Sequence, residues 1–255
     1  MPPSIPLLQE RFEEAINADS DVLYVGYSGS IARETYDKYS DLDLEVWLTD
    51  SAFQQGETRW KQIPQCLGEV KLNYSDHFLD RAFIGSDWLR VDMRLHQSSE
   101  LKPDPQLARP KVLLGYDEVL RHTGEKLPNY VTEEQRPKVD ICNAIDSQIY
   151  IASKNAKGQT DIALVTVNGC RNLLRLRLNK SRTIHNADFP DVERSLMQAA
   201  ELTSSTKEEC RRAARALWDW TRYVWAEAEH HLGKSFQITL DDEQFLSAVN
   251  ARYLW

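Results

Sequence analysis

The chain has 255 residues, enough for one large domain or two modest ones. Its 31 basic and 39 acidic residues give a formal net charge of −8, which argues against a broad basic surface for nucleic acid. Apolar residues make up 42% and charged residues 27%, a composition typical of a globular protein rather than a disordered one.

Other global features narrow the class of protein further. The sequence has no run of about 18–20 apolar residues, so we expect no membrane partner. The segment Met1-Pro2-Pro3-Ser4 lacks the basic and then apolar pattern of a secretory signal, which predicts a cytoplasmic protein. The cysteines are far apart and form no CxxC pair, so reduced and mostly buried thiols are favoured over a zinc cage.

The first half of the chain predicts a mixed α/β domain. Apolar residues at helical spacing, among them Leu7, Leu8 and Phe12, predict a first helix that ends near Asn17. The apolar run within residues 21–27 predicts a buried strand that ends in a glycine-bracketed turn. Strict alternation predicts two further strands, and weaker patterns predict three more. These strands cover residues 41–48, 88–95, 69–73, 77–84 and 112–114.

The second half predicts a helical domain. Apolar stripes predict helices near residues 140–157 and 164–178, and the capping box Ser205-Thr-Lys-Glu208 predicts a long helix that ends at Gly233. Three or four antiparallel helices would form a small bundle. We therefore predict an α+β fold: a mixed-sheet domain with flanking helices over residues 1–127, and a helical bundle domain over residues 128–255.

A glycine-serine turn after the first strand is the first part of a candidate site. Backbone N–H groups at Gly29 can approach a phosphate because no Cβ stands in the way. Ser30 adds a hydroxyl donor, and the guanidinium of Arg33 offers a fork of N–H groups that matches phosphate oxygens. The turn therefore predicts phosphate binding.

Three aspartates are the second part of that site. Asp41 and Asp43 lie one pleat repeat apart on one face of a predicted strand, where two like charges repel unless a cation lies between them. Asp92 lies on another alternating strand and can supply a third carboxylate. Hard oxygen ligands of this kind suit Mg²⁺, and the set is typical of two-metal phosphoryl or nucleotidyl transfer. Glu45 shares the face of Asp41 and Asp43, and we interpret it as solvated or paired rather than as a ligand.

These motifs resemble the nucleotidyltransferase superfamily. Its signature is a Gly-Ser pair, an Asp-x-Asp/Glu motif about ten residues later, and a third acid on a later strand. Within it the chain is most similar to the kanamycin-type aminoglycoside nucleotidyltransferases. The resemblance is dense over residues 26–48 and looser at Arg90-Val-Asp92-Met and Leu114-Gly-Tyr116-Asp117. Over residues 138–255 it is architectural only.

The resemblance implies a set of roles. Ser30, Arg33 and Ser40 would contact the nucleoside triphosphate, with Gly29 in the same turn. Asp41, Asp43 and Asp92 would be the metal ligands for two Mg²⁺ ions. The family uses a glutamate as general base one turn before a lysine on the first helix of its second domain. Here that lysine corresponds to Lys154, which would bind the nucleotide, but Tyr150 stands in the place of the glutamate. Asp146, two turns before Lys154, is our candidate base.

The sequence thus predicts an enzyme that moves a nucleoside monophosphate, AMP from ATP as the first choice, onto a hydroxyl of a small molecule such as an aminoglycoside. The resemblance also implies a homodimer. Two alternatives stay open. In the first alternative, the acceptor would be a protein side chain or an RNA 3′ end. In the second, the chain would be a non-catalytic, antitoxin-like module with this fold. The acidic balance argues against an RNA acceptor, and the three carboxylates argue against lost catalysis.

Overall fold

A computed structural model describes residues 5–75, 80–97, 112–113, 131–176 and 190–253. The chain has an α+β architecture and divides into two units, Met1–Tyr130 and Val131–Trp255. The predicted domain boundary between residues 127 and 128 lies outside the described residues, as do Tyr116 and Asp117. No helix in the ranges that the structure describes is both long and apolar enough to cross a membrane.

The first unit is built on one mixed β-sheet, with six strands among the described residues in the order β3-β4-β5-β2-β1-β6. These strands are β1 (Val22–Tyr27), β2 (Leu42–Leu48), β3 (Val70–Ser75), β4 (Asp80–Ile84), β5 (Leu89–Gln97) and β6 (Val112–Leu113). Strand β2 pairs antiparallel with β1 and parallel with β5. Strands β3, β4 and β5 pair antiparallel in succession, and β6 pairs parallel with β1.

Short helices flank this sheet. They are α1 (Ile5–Ala18), α2 (Gly29–Ala32), α3 (Asp50–Phe53), α4 (Gly56–Gln62) and a 3₁₀ turn over Ile63–Leu67. Helix α1 buries Leu8, Phe12 and Ile16 in the core of the first unit, because residues four apart share one helix face. Leu7, which the sequence assigned to that stripe, lies outside it and is 39% exposed.

The predicted alternation of strand β2 is only half right. Leu42, Leu44 and Val46 are buried as expected, but Glu45 and Trp47 on the other face are also fully buried. The physical reason is contact with side chains of the neighbouring strand β5, where Arg94 pairs with Glu45 and the ring of His96 stacks on Trp47. A polar residue at such a position needs a partner rather than water.

All secondary-structure elements described in the second unit are helices. Its helices are α5 (Arg136–Ala156), α6 (Thr160–Leu176), α7 (Asp191–Ala199), α8 (Lys207–Leu232) and α9 (Asp242–Tyr253). Helices α5, α6 and α8 pack against one another, α7 packs on α8, and α9 packs on α5. The predicted stripe of Ile141, Ile145 and Ile149 is buried. Helices α7 and α9 were not predicted.

Candidate functional site

The glycine-serine turn lies directly against the first aspartate of strand β2. Gly29 adopts a φ of +61°, and a Cβ added to it would lie 2.0 Å from Oδ2 of Asp43. The backbone N–H of Ser28 donates to the carbonyl oxygen of Asp43 at 3.0 Å, which holds the turn beside β2. Glycine is therefore needed here for two reasons, the left-handed backbone and the close approach of the carboxylate.

The parallel pairing of β2 with β5 brings two of the predicted metal ligands together. Asp43 and Asp92 are Cα partners in that register, although they are far apart in the sequence. Asp41 lies just before β2, and its carboxylate is connected to Asp92 by the guanidinium of Arg90. The structure thus places Gly29, Asp41, Asp43 and Asp92 in one region of the first unit.

Two arginines accompany the three carboxylates. Nη1 of Arg90 donates to Oδ2 of Asp41 at 2.8 Å, and Nη2 of the same side chain lies 3.1 Å from Oδ2 of Asp92. Arg81 is the register partner of Asp92 on strand β4, and its Nε lies 3.4 Å from Oδ1 of Asp92. Sequence reasoning missed both arginines as part of the site. The visible signal was that Arg90 and Asp92 lie two residues apart and so share one face of a strand.

The electrostatics of the cluster centre on Asp43. Burial raises the pKa of Asp43, and the neighbouring charge of Asp41 raises it further. The guanidinium groups of Arg90 and Arg94 oppose this by lowering the pKa. An ionised Asp43 is therefore under-compensated by its surroundings, and an added cation would stabilise its charged form.

The donor chemistry of the three aspartates fits Mg²⁺, which prefers carboxylate oxygens. Within the described ranges, however, no group of three or more histidine, cysteine or acidic side chains is arranged to hold a metal ion. The guanidinium of Arg90 lies between two of these carboxylates, within ion-pair distance of both Asp41 and Asp92. The three carboxylates are thus of the kind that binds Mg²⁺, and the guanidinium of Arg90 forms ion pairs with two of them.

A second charged cluster lies farther along the same two strands. Glu45 is fully buried, forms an ion pair with Arg94, its register partner on β5, and contacts Nε2 of His96 at 2.7 Å. The ring of His96 stacks on Trp47 with ring centroids 4.7 Å apart. Glu45 is therefore paired, one of the two roles that the sequence left open, and it is not solvated.

The remaining first-unit residues of the predicted site differ in exposure. Ser30 is half-buried and Arg33 is exposed, both at the short helix that follows Gly29. Ser40 is buried, and its hydroxyl accepts from the N–H of Asp37 at 2.9 Å and donates to the Asp37 carboxylate at 3.1 Å. The Ser40 hydroxyl thus organises the turn before β2, and its predicted contact with the triphosphate stays a prediction.

Two predicted site residues belong to the second unit, on helix α5. Asp146 is buried at 7% exposure, and its charge contributes to the raised pKa values of Cys142 and Cys170, which burial raises to about 12. Nζ of Lys154 lies 4.7 Å from the ring centroid of Tyr150, one helical turn away. The proposed roles of Asp146 as base and Lys154 as nucleotide ligand stay predictions.

No protein-family model matches this chain, and no curated protein matches its sequence. The likeness to nucleotidyltransferases therefore depends on the residues and geometry above.

Proposed function

We propose that this protein is a Mg²⁺-dependent nucleotidyltransferase. It moves a nucleoside monophosphate, AMP from ATP as the first choice, onto a hydroxyl of a small molecule and releases pyrophosphate. The observation that supports this proposal is the position of Asp43, against the backbone of Gly29 on one side and in register with Asp92 on the other. The turn that we propose to bind phosphate is thus adjacent to a pair of carboxylates.

The residues of the first unit have distinct roles in this proposal. Asp41, Asp43 and Asp92 would hold two Mg²⁺ ions, which neutralise charge on the phosphate oxygens when bound. The Gly29 turn brings backbone close to the reacting phosphate, Ser30 donates its hydroxyl, and the exposed Arg33 guanidinium binds phosphate oxygens farther from the carboxylates.

The acceptor is the less constrained part of the proposal. An aminoglycoside is a polycation, and the net charge of −8 suits such a molecule. Asp146 would take the proton of the acceptor hydroxyl as a general base. The helical unit would bind the acceptor, and a homodimer is proposed as the assembly.

The test is a direct assay of transfer. Purified protein is incubated with Mg²⁺, each of the four nucleoside triphosphates, and a panel of aminoglycosides, lincosamides, proteins and short RNAs. Pyrophosphate release and the mass of each acceptor are measured. We expect an aminoglycoside to gain one nucleoside monophosphate, and Asp43→Asn to lower the rate by about 10²-fold or more, as loss of a group that stabilises transition-state charge does.

Matched variants separate the parts of the proposal. Glu69→Gln removes an exposed carboxylate of the same unit, paired with Lys71 at 2.7 Å, and should keep the wild-type rate. Mass gain on a protein or an RNA would change the acceptor but retain the reaction. The absence of product with every acceptor would refute the enzyme and favour the non-catalytic module. A wild-type rate for Asp146→Ala would refute the base and leave the metal ligands in place.

A further inference from the structure

Arg90 holds two of the proposed metal ligands with one buried guanidinium. Its two terminal nitrogens lie 2.8 Å from Oδ2 of Asp41 and 3.1 Å from Oδ2 of Asp92, and its side chain is only 9% exposed. Hydrogen bonds between a guanidinium and carboxylates are among the stronger ones in proteins, and removal from water strengthens them further. Arg90 thus supplies positive charge at the oxygens that a metal ion would need.

Arg81 has a different environment from Arg90. Its Nη1 donates to the hydroxyl of Tyr74 at 3.2 Å on strand β3, and its guanidinium also lies over the Tyr74 ring. Arg81 is therefore anchored by the neighbouring strand while it contacts Asp92 from one side. Arg90 differs because it joins Asp92 to Asp41, the pair that a metal ion would have to share.

We infer that Arg90 competes with the metal ions for Asp41 and Asp92, and that the triphosphate accepts the guanidinium that the metal displaces. This inference depends on the proposed function, which it extends. A divalent ion beside Asp41 and Asp92 would repel a guanidinium held between them, so metal binding has to break at least one of its ion pairs. A released guanidinium matches phosphate oxygens in a bidentate manner.

The consequence is coupling between two ligands. Metal alone has to displace Arg90 without a new partner for the guanidinium, and this weakens metal binding. Metal together with the triphosphate provides that partner, so each ligand tightens the binding of the other by the same factor. In this scheme Arg90 positions the metal ligands in the absence of substrate and binds the triphosphate directly in its presence.

A Mn²⁺ titration tests this inference without turnover. The free Mn²⁺ signal in electron paramagnetic resonance gives the affinity of wild type, Arg90→Gln and Lys71→Gln, with and without a non-hydrolysable ATP analogue. We expect Arg90→Gln to bind Mn²⁺ about tenfold or more tightly than wild type without the analogue, a difference of about 1.4 kcal/mol or more. Lys71→Gln removes the same charge from strand β3 and should match wild type.

The analogue should tighten Mn²⁺ binding about tenfold or more in wild type, and much less in Arg90→Gln. An Arg90→Gln affinity equal to or weaker than that of wild type would overturn the inference, as would an absence of Mn²⁺ binding in both. If Arg90→Gln does not fold, Arg90→Lys replaces it, because the lysine ammonium cannot contact both carboxylates as the guanidinium fork does. The Arg90→Lys protein should also bind Mn²⁺ more tightly than wild type.

The outcomes separate this inference from the proposed function. Failure to find any nucleotidyl acceptor leaves the Mn²⁺ result of Arg90→Gln as a valid test of the competition. Transfer activity combined with an unchanged Mn²⁺ affinity in Arg90→Gln would reject the competition and leave the proposed function intact.

Discussion

The carboxylate of Asp43 fills the space that a side chain on Gly29 would need. An ideal Cβ on Gly29 would lie 2.0 Å from Oδ2 and 3.0 Å from Cγ of Asp43. These are distances at which one of the two groups has to move. The contact connects the backbone of the proposed phosphate turn to a proposed metal ligand. A substitution at either residue should therefore change the position of the other.

Gly29→Ala is therefore expected to destabilise the protein through strain and collision together. Gly158→Ala is the matched control, because Gly158 has a φ of +76° but, apart from its chain neighbours, no atom of the described residues lies within 4 Å of an added Cβ. We expect Gly158→Ala to lower the free energy of unfolding by about 1–2 kcal/mol, because of the left-handed backbone alone. Gly29→Ala should cost about 1–3 kcal/mol more, as overpacking does. Urea unfolding of both variants measures the difference.

The extra cost of Gly29→Ala should disappear when the carboxylate is removed. In an Asp43→Ala background, Gly29→Ala should cost about as much as Gly158→Ala, since contacting residues are not additive. Equal costs for the two glycine substitutions in the wild-type background would contradict the contact.

Loss of the Asp43 charge should raise stability while it lowers the rate of transfer. Burial and the adjacent Asp41 both disfavour the ionised Asp43, so Asp43→Asn relieves an unfavourable charge in the metal-free protein. We expect a higher urea midpoint than wild type at neutral pH without metal, and a smaller gain on addition of Mg²⁺. A midpoint lower than that of Glu69→Gln would show that Asp43 stabilises the fold instead.

The buried ion pair of Glu45 should be far more important for stability than the exposed pair of Glu69. Glu45→Gln leaves the partly exposed Arg94 without its charged partner and replaces the carboxylate that contacts His96, and we expect a loss of about 1.5–3 kcal/mol. Glu69→Gln breaks an exposed pair with Lys71 and should cost about 0–1 kcal/mol. Chemical unfolding measures both, and similar losses would argue against the buried cluster.

Local periodicity predicted much of the fold because it reports how each element is buried. Strands β2 and β5 were predicted from strict alternation, and α5 from its isoleucine stripe. Helix α9 was missed although its buried residues Phe245, Val249 and Tyr253 have helical spacing, because other apolar residues, Leu246 and Ala248, lie between them in the sequence and obscure the stripe. Helices α3 and α4 have four and seven residues, fewer than the roughly 11–18 residues over which a helical stripe can be recognised.

The candidate site shows which contacts local sequence patterns cannot predict. Asp41 and Asp43 were predicted because both stand in one alternating segment. The contact of Arg90 with Asp41 joins residues 49 positions apart, and it depends on the parallel pairing of β2 with β5. The residue spacing within a strand does not specify which other strand it pairs with. The contacts of the two arginines with the carboxylates could therefore be found only in the structure.

The start of helix α8 differs from the predicted capping box by one residue. The sequence favoured Ser205 with Glu208, whereas the hydroxyl of Thr206 accepts from the N–H of Glu209 at 3.1 Å. We expect Thr206→Ala to cost about 1 kcal/mol of stability, as loss of an N-cap does. Ser205→Ala should stay within about 0.5 kcal/mol of wild type, as exposed substitutions do. The reverse order in thermal or urea unfolding would restore the predicted cap.

Glu209 should make the second unit sensitive to acid. Its carboxylate accepts hydrogen bonds from Arg212 and from the backbone and hydroxyl of Thr203, and these contacts lower its pKa from 4.5 to about 2. A lowered pKa in the folded state means that the unfolded state binds the proton first. The stabilisation is therefore complete above about pH 4.5 and is lost as the pH falls towards about 2.

Glu209→Gln should remove this part of the acid response. Unfolding free energies of wild type and Glu209→Gln should converge as the pH is lowered from 7 to 3, because wild type loses a contribution that the variant lacks. Glu208→Gln is the matched control, since it removes an exposed carboxylate from the same helical turn. If Glu209→Gln and Glu208→Gln show the same pH dependence, the bonds to Arg212 and Thr203 do not stabilise the folded state.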